Sequence, residues 1–266
     1  MQMLSYAQNG EDVVLRRVFP EGSRGFYLDV GANDPVEHSV TKHFYEHGWN
    51  GVNIEPNRML HGRLVRDRPR DVNLNIGVSN RADVLTFHEA PKVHGWSTFS
   101  DELARSYRDA GIATIAHQVP VRTLAEVCDE HCGDRVIDFL KIDVEGLEYE
   151  VISGMDWSRR RPRVVLVETN GWERWEPILL EHDYLFALFD GLNRFYARRE
   201  DEAFLPALRA PANTLDEFIP YGYHRLISQY HDLGPNALAV ARRLTNLARR
   251  HPLLARGLKT LLRRAG

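Results

Sequence analysis

Charged residues crowd one point of the chain, Lys141-Ile-Asp143-Val-Glu145-Gly-Leu-Glu148, directly after a strongly apolar segment. Alternation along a strand places Lys141 and Asp143 on the same side of it. A carboxylate at a strand end can take a proton from a hydroxyl group, so Asp143 and Glu145 are candidate catalytic residues. Glu145 and Glu148 are expected to open the following helix, where Glu148 has a structural role, since an acid interacts favourably with the helix dipole.

Two more oxygen-bearing side chains, Glu168 and Asn170, end the next apolar segment, VVLVETN. Because the carboxyl ends of parallel strands meet at one edge of a sheet, Asp143, Glu168 and Asn170 are expected to converge there. Oxygen ligands of this kind suit magnesium. The sequence therefore offers a hypothesis of a Mg²⁺ site formed by these three residues.

A second candidate site begins at Asp29-Val-Gly31-Ala32-Asn33-Asp34, where an apolar strand gives way to a helical pattern. Gly31 permits close approach of the backbone, and a helix N-terminus presents unpaired N–H groups. The turn has one glycine, not the three that cradle a pyrophosphate, so a ligand with a carboxylate and an ammonium group fits it better. Glu55 ends the following strand 24 residues after Gly31, close to the spacing at which an acid binds ribose hydroxyls. Together these residues predict an adenosine-ribose site.

The segment 93–112, VHGWSTFSDELARSYRDAGI, places Trp96 beside Gly95, Ser97 and Thr98. An aromatic face next to hydroxyl donors is typical of a lid that binds sugar. His94, in the same segment, is the candidate imidazole base. The alternative is that Trp96 is a core residue within a surface loop.

The elements that position these residues alternate between strand and helix. Strands are expected at 26–30, 51–56, 73–78, 84–89, 136–143, 163–170, 184–190 and 194–197, and helices at 35–48, 57–66, 100–110, 123–131, 145–153 and 173–182. VIDFLKI and VVLVE are apolar at nearly every position, which is typical of strands buried on both faces. The last two strands are separated by three residues, enough for an antiparallel hairpin but not for a crossover helix. The fold class is therefore α/β, with a mostly parallel sheet between two layers of helices.

Composition narrows the class of protein. The 266 residues are 43% hydrophobic and 27% charged, which indicates one sizeable domain with an appendage. The sequence has no apolar run of 18 residues, so it predicts no transmembrane helix, and its first residues do not have the pattern of a signal peptide.

Cys128 and Cys132 are expected to be reduced thiols of a cytoplasmic protein. Residues 1–234 carry 26 bases against 37 acids, a net charge of −11, which argues against nucleic acid as a partner.

Three stretches resemble the FkbM family of S-adenosylmethionine-dependent methyltransferases. They are YAQNGEDVVLRRVF, FYLDVGANDPVEHSVTKHFYEHGWNGVNIEPN and FLKIDVEGLEYEVISGM, and the similarity spans about residues 4–200 in the same order. The resemblance implies a Rossmann-like class I methyltransferase sheet of seven mostly parallel strands with a terminal antiparallel hairpin. It also implies O-methylation of a hydroxyl on a sugar, a glycan or a glycosylated metabolite.

The resemblance further implies which residues bind S-adenosylmethionine. They are Gln8, Asp29, Gly31, Ala32, Asn33, Asp34, Ser39, Glu55, Pro56, Asn57, Gly77, Val78 and Ser79. Among them, the turn 29–34 would hold the methionine part, Glu55 the ribose, and residues 76–79 would border the adenine. Pro35 stands where family members usually carry glycine, which suits the first turn of a helix. The Asp143, Glu168 and Asn170 set resembles the acidic metal site of a separate family, the magnesium-dependent catechol-type methyltransferases.

The chain divides into a methyltransferase domain, residues 1–234, and a basic amphipathic helical extension, residues 235–266. The extension has eight bases and no acid, and its apolar residues recur at alternating intervals of four and three from Val240. Pro252 favours two short helices over one. The extension is expected to pack on its own domain, to join two chains in a homo-oligomer, or to attach the protein peripherally to the inner membrane face.

Two other functions stay open. A nicotinamide-dependent oxidoreductase has a similar sheet, but the missing glycines and the absence of any tyrosine with lysine four residues later argue against it. A non-catalytic scaffold that binds the cofactor is the other alternative. Acids at Asp29, Glu55, Asp143 and Glu168 argue against that alternative.

Overall fold

A computed structural model describes residues 2–169, 171 and 173–232 of the chain. Its strands are β1 Met3–Ser5, β2 Phe26–Val30, β3 Asn50–Ile54, β4 Val72–Leu74, β5 Gly77–Val78, β6 Asp83–Glu89, β7 Ile115–Arg122, β8 Phe139–Ile142, β9 Val164–Glu168, β10 Tyr184–Phe189, β11 Asn193–Arg198 and β12 Phe218–Pro220. Its α-helices are α1 Glu11–Arg16, α2 Lys42–Glu46, α3 Arg58–Asp67, α4 Asp101–Asp109, α5 Leu124–His131, α6 Glu148–Ser153, α7 Glu176–Glu181, α8 Leu205–Leu208 and α9 Tyr221–Asp232. The predicted extension, residues 235–266, lies outside the described residues, so its helices stay a prediction.

Seven strands form the main sheet, in the order β10-β11-β9-β8-β2-β3-β4. From β9 to β4, each strand runs parallel to the next one in this order. β11 is antiparallel to both β9 and β10. The expectation of a mostly parallel α/β sheet that ends in an antiparallel hairpin is therefore confirmed. Its parallel arrangement brings the ends of β2, β3, β8 and β9 to one edge, where the candidate site residues follow.

The central strands are buried on both faces because helices cover both sides. Leu28 and Ile142 point into one core, which also holds side chains of α5, α6 and α7. Tyr27, Phe139 and Leu166 point into the other, against α1, α2 and α8. Cys128 and Cys132 are buried free thiols, as expected.

A second sheet, β5-β7-β6, lies beside the main one. The predicted strand 73–78 is wrong as a single strand, because its first half, β4, belongs to the main sheet and its second half, β5, to the second. Asn75 lies at the change of direction and donates from Nδ2 to the carbonyls of Glu55 and Pro56. The sequence did not predict β7, since its residues from Ile115 to Gln118 are exposed and Pro120 interrupts the pattern.

Two predicted helices next to the candidate sites begin later than expected, as does the helix predicted at 173–182, which begins at Glu176. In place of a helix over 35–48 the structure has turns followed by the short α2, because Asp34 accepts bonds from the N–H groups of Val36 and Glu37 and His38 has a φ of 60°. The helix predicted at 145–153 begins at Glu148, since Glu145 and Gly146 both have positive φ. Both differences lie next to the candidate sites.

The N-terminal segment is anchored to the last described part of the chain. β1 pairs in parallel with β12, and Arg17 forms an ion pair with Asp216 at 2.6 Å. No helix within the described residues is long and apolar enough to cross a membrane.

Candidate active site

The turn after β2 brings the two candidate sites into contact. The N–H groups of Gly31 and Ala32 donate to the carbonyl of Ile54 at 3.0 and 3.1 Å. Gly31 has a φ of 76°, and a Cβ added to it would lie 1.8 Å from the carbonyl oxygen of Asp143. Only glycine fits here, because both the backbone conformation and the space exclude a side chain.

Glu55 is held at the same turn. Its carboxylate accepts the N–H of Asn33 and the N–H of Asn57, both at 2.7 Å, and the residue is 5% exposed. Burial raises its pKa to about 7, although these hydrogen bonds act in the opposite direction. Asn57 in turn caps α3 by accepting from the N–H groups of Met59 and Leu60. The α3 cap and the Gly31 turn thus fix the position of Glu55.

Asp29 is buried below the surface of the predicted crevice, and its carboxylate contacts other residues of the protein. It is buried, its Oδ2 accepts a bond from Thr41 at 2.9 Å, and its Oδ1 lies 3.4 Å from Nζ of Lys141. Oδ1 has no hydrogen-bond partner among the described residues. Asp29 therefore holds Lys141 through an ion pair at Oδ1 and Thr41 through a hydrogen bond at Oδ2, and its role at the cofactor stays a prediction.

Two residues expected at the cofactor have their side chains engaged elsewhere. Ser39 is buried and accepts a bond at 3.0 Å from Arg68, which is itself fully buried. Asp34 uses one oxygen to cap the turn 34–37 and the other in an ion pair with Arg63 at 2.8 Å. Both side chains thus have partners within the protein that shape the turn, and their contact with the cofactor stays a prediction.

The remaining predicted cofactor residues are placed as follows. Gln8 is exposed in the loop before α1, and its neighbour Ala7 bridges to His38. Gly77, Val78 and Ser79 are buried, and the N–H of Ser79 donates to the carbonyl of Arg122. The roles of these four residues, and of Pro56 beside Glu55, stay predictions.

Three carboxylates meet beyond the Gly31 turn. Oxygen atoms of Asp143, Glu145 and Glu168 lie within 4.8 Å of one another, because β8 and β9 are adjacent parallel strands paired at Ile142 and Val167. Asn170, predicted as the third member, lies outside the described residues. The structure puts Glu145 in the cluster instead, at a φ of 54°, and Glu148 outside it, where it accepts the N–H of Gly146.

Lys141 connects this carboxylate cluster to the turn. Its Nζ donates to the carbonyl of Gly31 at 2.6 Å and lies 3.2 Å from Asp143. Burial alone would lower the pKa of Lys141, but Asp143 and Asp29 outweigh it and the pKa is raised. The ammonium therefore stays charged between the two carboxylates.

The three acids of the cluster differ in their affinity for a proton. Burial would raise the pKa of Asp143, but Lys141 and a hydrogen bond with Glu168 hold it below its ordinary value. Burial and the charge of Asp143 raise the pKa of Glu168 well above its ordinary value. Burial, then Asp143 and Glu148, raise the pKa of Glu145 to about 8. At neutral pH, Asp143 is thus the charged member of the cluster, whereas Glu168 keeps its proton.

The segment 93–112 covers this cluster, as a lid would. Thr98 donates to the carbonyl of Glu145 at 2.6 Å, and the hydroxyl of Tyr107 donates to its carboxylate at 3.4 Å. A Cβ added to Gly95 would lie 3.7 Å from Nδ2 of Asn33, so the segment also reaches the turn after β2. The sequence did not single out Tyr107, although an aromatic hydroxyl in the predicted lid was the available signal.

His94 begins the short turn 94–96 in this segment. Its Nδ1 is enclosed and has no hydrogen-bond partner among the described residues. Among the described residues, the side chains that could together hold a metal ion are those of Asp143, Glu145 and Glu168, and His94 is not one of them. A catalytic role for His94 stays a prediction.

Comparison with known families identifies the family of the chain. The family model for the methyltransferase FkbM domain matches residues 29–194, more than half of the chain. The chain belongs to the FkbM methyltransferase family. The matched range of this FkbM-family chain begins at Asp29 and includes Glu55, the carboxylate cluster and the lid.

Two solved structures are similar to the FkbM-family chain. One is the crystal structure of a methyltransferase FkbM from Methylobacillus flagellatus KT, with 16% identity, a TM-score of 0.43, and coverage of 66% of this chain and 44% of that one. The other is a TehB-like SAM-dependent methyltransferase from Corynebacterium glutamicum ATCC 13032 Kitasato, with 9% identity, a TM-score of 0.39, and coverage of 72% and 89%. This chain thus spans less than half the length of the Methylobacillus protein. No curated protein matches it.

Proposed function

We propose that this FkbM-family methyltransferase uses S-adenosylmethionine to methylate a hydroxyl group of a sugar or glycan. The observation that carries the proposal is the contact between the Gly31 turn and the carboxylate cluster. Lys141 donates to the carbonyl of Gly31 and pairs with Asp143, so the predicted cofactor crevice and the candidate base are neighbours.

The residues at the turn fit the cofactor. Glu55 presents a buried carboxylate whose oxygens each accept one backbone N–H, which leaves a lone pair on each for a ribose hydroxyl. Gly31 lets the turn pack directly against the backbone of Asp143, which keeps the predicted cofactor turn beside the carboxylate cluster. When bound, S-adenosylmethionine would supply a methyl group attached to a sulfonium, and the thioether that leaves develops no negative charge.

The chain must then align the acceptor and remove its proton. Asp143 is charged at neutral pH because Lys141 stabilises its carboxylate, and it lies at the end of β8 next to the crevice. It is the group placed to accept the hydroxyl proton, because the neighbouring Glu168 keeps its own proton. Lys141 is a positioning residue, since it holds both Asp143 and the carbonyl of Gly31.

The donor set also fits magnesium. Asp143, Glu145 and Glu168 offer hard oxygen ligands, and Oε2 of Glu168 has no hydrogen-bond partner among the described residues. These three residues would hold the ion, which would lower the pKa of the acceptor hydroxyl. Asp143 and Glu168 would then serve as ligands of the ion.

A transfer assay tests the proposal. The full chain is incubated with S-adenosylmethionine carrying an isotope-labelled methyl group and with a panel of neutral glycans. We expect labelled methyl on one hydroxyl of at least one glycan, mapped by mass spectrometry. Label found on nitrogen or carbon acceptors alone, or hydride transfer from a nicotinamide, would contradict the proposal.

A further inference from the structure

The lid carries an exposed aromatic pair that the proposed chemistry does not use. Trp96 is 43% exposed, whereas Trp49, Trp157 and Trp175 are each at most 3% exposed. Its ring packs against that of Tyr107 in a tilted arrangement, with centroids 5.2 Å apart and an interplanar angle of 35°. The structure thus rejects the alternative that Trp96 is a core residue.

Hydrogen bonds hold this pair in one place. The backbone of Thr98, two residues after Trp96, exchanges bonds with His88 at 2.8 and 3.1 Å, and the Thr98 side chain is bonded to Glu145. Tyr107 lies on α4, whose first turn is capped by Ser100. The segments that carry the two rings are therefore both hydrogen-bonded to the rest of the fold, and we call the pair of rings the ledge.

The ledge lies between the two sites already described. The Tyr107 hydroxyl contacts Glu145, whose carboxylate lies in the cluster with Asp143. At the other end, Gly95 approaches Asn33 of the cofactor turn. A molecule resting on Trp96 is therefore next to both the base and the predicted methyl donor.

We propose that the ledge of Trp96 and Tyr107 is the acceptor subsite, and that it binds a pyranose ring by its apolar face; this rests on the proposed function. A sugar ring has C–H groups on one face and hydroxyls around its rim. The ledge offers a flat apolar surface for the face. Glu145 and the unpartnered Oε2 of Glu168 offer acceptors for adjacent rim hydroxyls. The rim hydroxyl nearest Asp143 is the one that receives the methyl group.

The test uses saturation-transfer NMR on the full chain loaded with S-adenosylhomocysteine. The probes are the methyl glycosides of glucose, galactose, mannose, rhamnose and fucose, with catechol as a planar aromatic comparison. We expect transfer to the protons on one ring face of at least one glycoside. In Trp96→Ala the affinity for that glycoside should fall about tenfold, while Trp96→Phe should retain most of it.

Phe186→Ala is the matched control. Phe186 is 45% exposed and also contacts a tyrosine ring, that of Tyr196, edge-on at 5.6 Å, but at the outer edge of the main sheet. Its removal should leave glycoside binding within twofold of the wild type. Equal binding by Trp96→Ala and wild type, no transfer to any glycoside, or transfer to catechol alone would overturn the inference. If the wild-type chain does not bind S-adenosylhomocysteine at all, the proposed function is overturned instead.

Discussion

At the scale of single residues, environment decides what each acid can do. Asp143 and Glu168 are neighbours, yet one keeps its charge beside Lys141 and the other keeps its proton. The sequence identified Asp143, Glu145 and Glu168, because each follows an apolar strand at the same edge. It did not show the engagement of Ser39 with Arg68 or of Asp34 with Arg63, because these contacts join residues about 29 positions apart.

Replacement of the candidate base should separate catalysis from binding. We expect Asp143→Asn to lower kcat by a factor on the order of 10²–10⁴, since the acceptor hydroxyl loses its proton acceptor. The KM for S-adenosylmethionine should stay within a few-fold of wild type. Glu148→Gln is the control, because Glu148 bonds to the N–H of Gly146 outside the cluster. Activity that persists in Asp143→Asn would exclude Asp143 as the base.

The ionisation of Glu55 should make cofactor binding depend on pH. Ribose hydroxyls donate to the charged carboxylate, and the pKa of Glu55 is raised to about 7. Affinity for S-adenosylhomocysteine should therefore be lost as pH falls through 7, by about tenfold between pH 8 and pH 6. Calorimetric titration at several pH values measures this dependence. Glu55→Gln should bind weakly with a flat profile; a flat profile in the wild type would mean that Glu55 does not contact the ligand.

Magnesium binding by the carboxylate cluster should appear in stability. An ion that binds only the folded chain raises the midpoint of thermal unfolding. We expect millimolar Mg²⁺ to raise the Tm of the wild type and not that of Glu168→Gln, which loses a ligand. A Tm that does not respond to Mg²⁺ would show that the cluster works with Lys141 and protons alone.

At the scale of elements, the sequence predicted the main-sheet strands well and the connections poorly. The sequence predicts burial for the strands that consist mostly of apolar residues, namely β2, β3, β8 and β9. Short strands such as β4 and β5 form one pattern in sequence, and only the turn at Asn75 separates them. The predicted lid was singled out from Trp96, but β7 was not predicted, because its first four residues are all exposed and mix apolar with polar side chains.

The anchor between the lid and Glu145 should matter for stability and for the acceptor. Thr98→Val removes a bond of 2.6 Å to the carbonyl of Glu145 from a fully buried position. We expect a loss of about 1–3 kcal/mol in the free energy of unfolding, measured in urea, with a higher KM for the acceptor. Thr86→Val, which loses only an exposed bond with Gln118, should be nearly neutral. Equal effects of the two variants would contradict the anchor.

At the scale of the whole molecule, sheet order explains why distant segments form one site. β2 lies between β3 and β8, so the turn after β2 touches both Ile54 and Asp143, which are far apart in sequence. Strand order is not visible in composition, and the sequence reached it through the family resemblance. The pairing of β1 with β12 had no sequence signal, because each has three residues.

The basic extension, residues 235–266, should govern attachment to membranes. Eight positive charges without an acid favour anionic lipid, at roughly 1 kcal/mol for each charge near the surface. We expect the full chain to sediment with anionic vesicles and a chain ending at residue 234 to stay in solution. Equal sedimentation of both would leave self-association or packing on the domain as its role.

The central claim is that the Gly31 turn and Glu55 bind S-adenosylmethionine beside the carboxylate cluster. Calorimetric titration of the wild type and of Glu55→Ala with S-adenosylhomocysteine, and of the wild type with NAD, tests it most directly. We predict one molecule of S-adenosylhomocysteine per chain, binding to Glu55→Ala at least about tenfold weaker, and no heat with NAD. Binding of NAD in its place, or S-adenosylhomocysteine binding that does not change when Glu55 is removed, would contradict the claim.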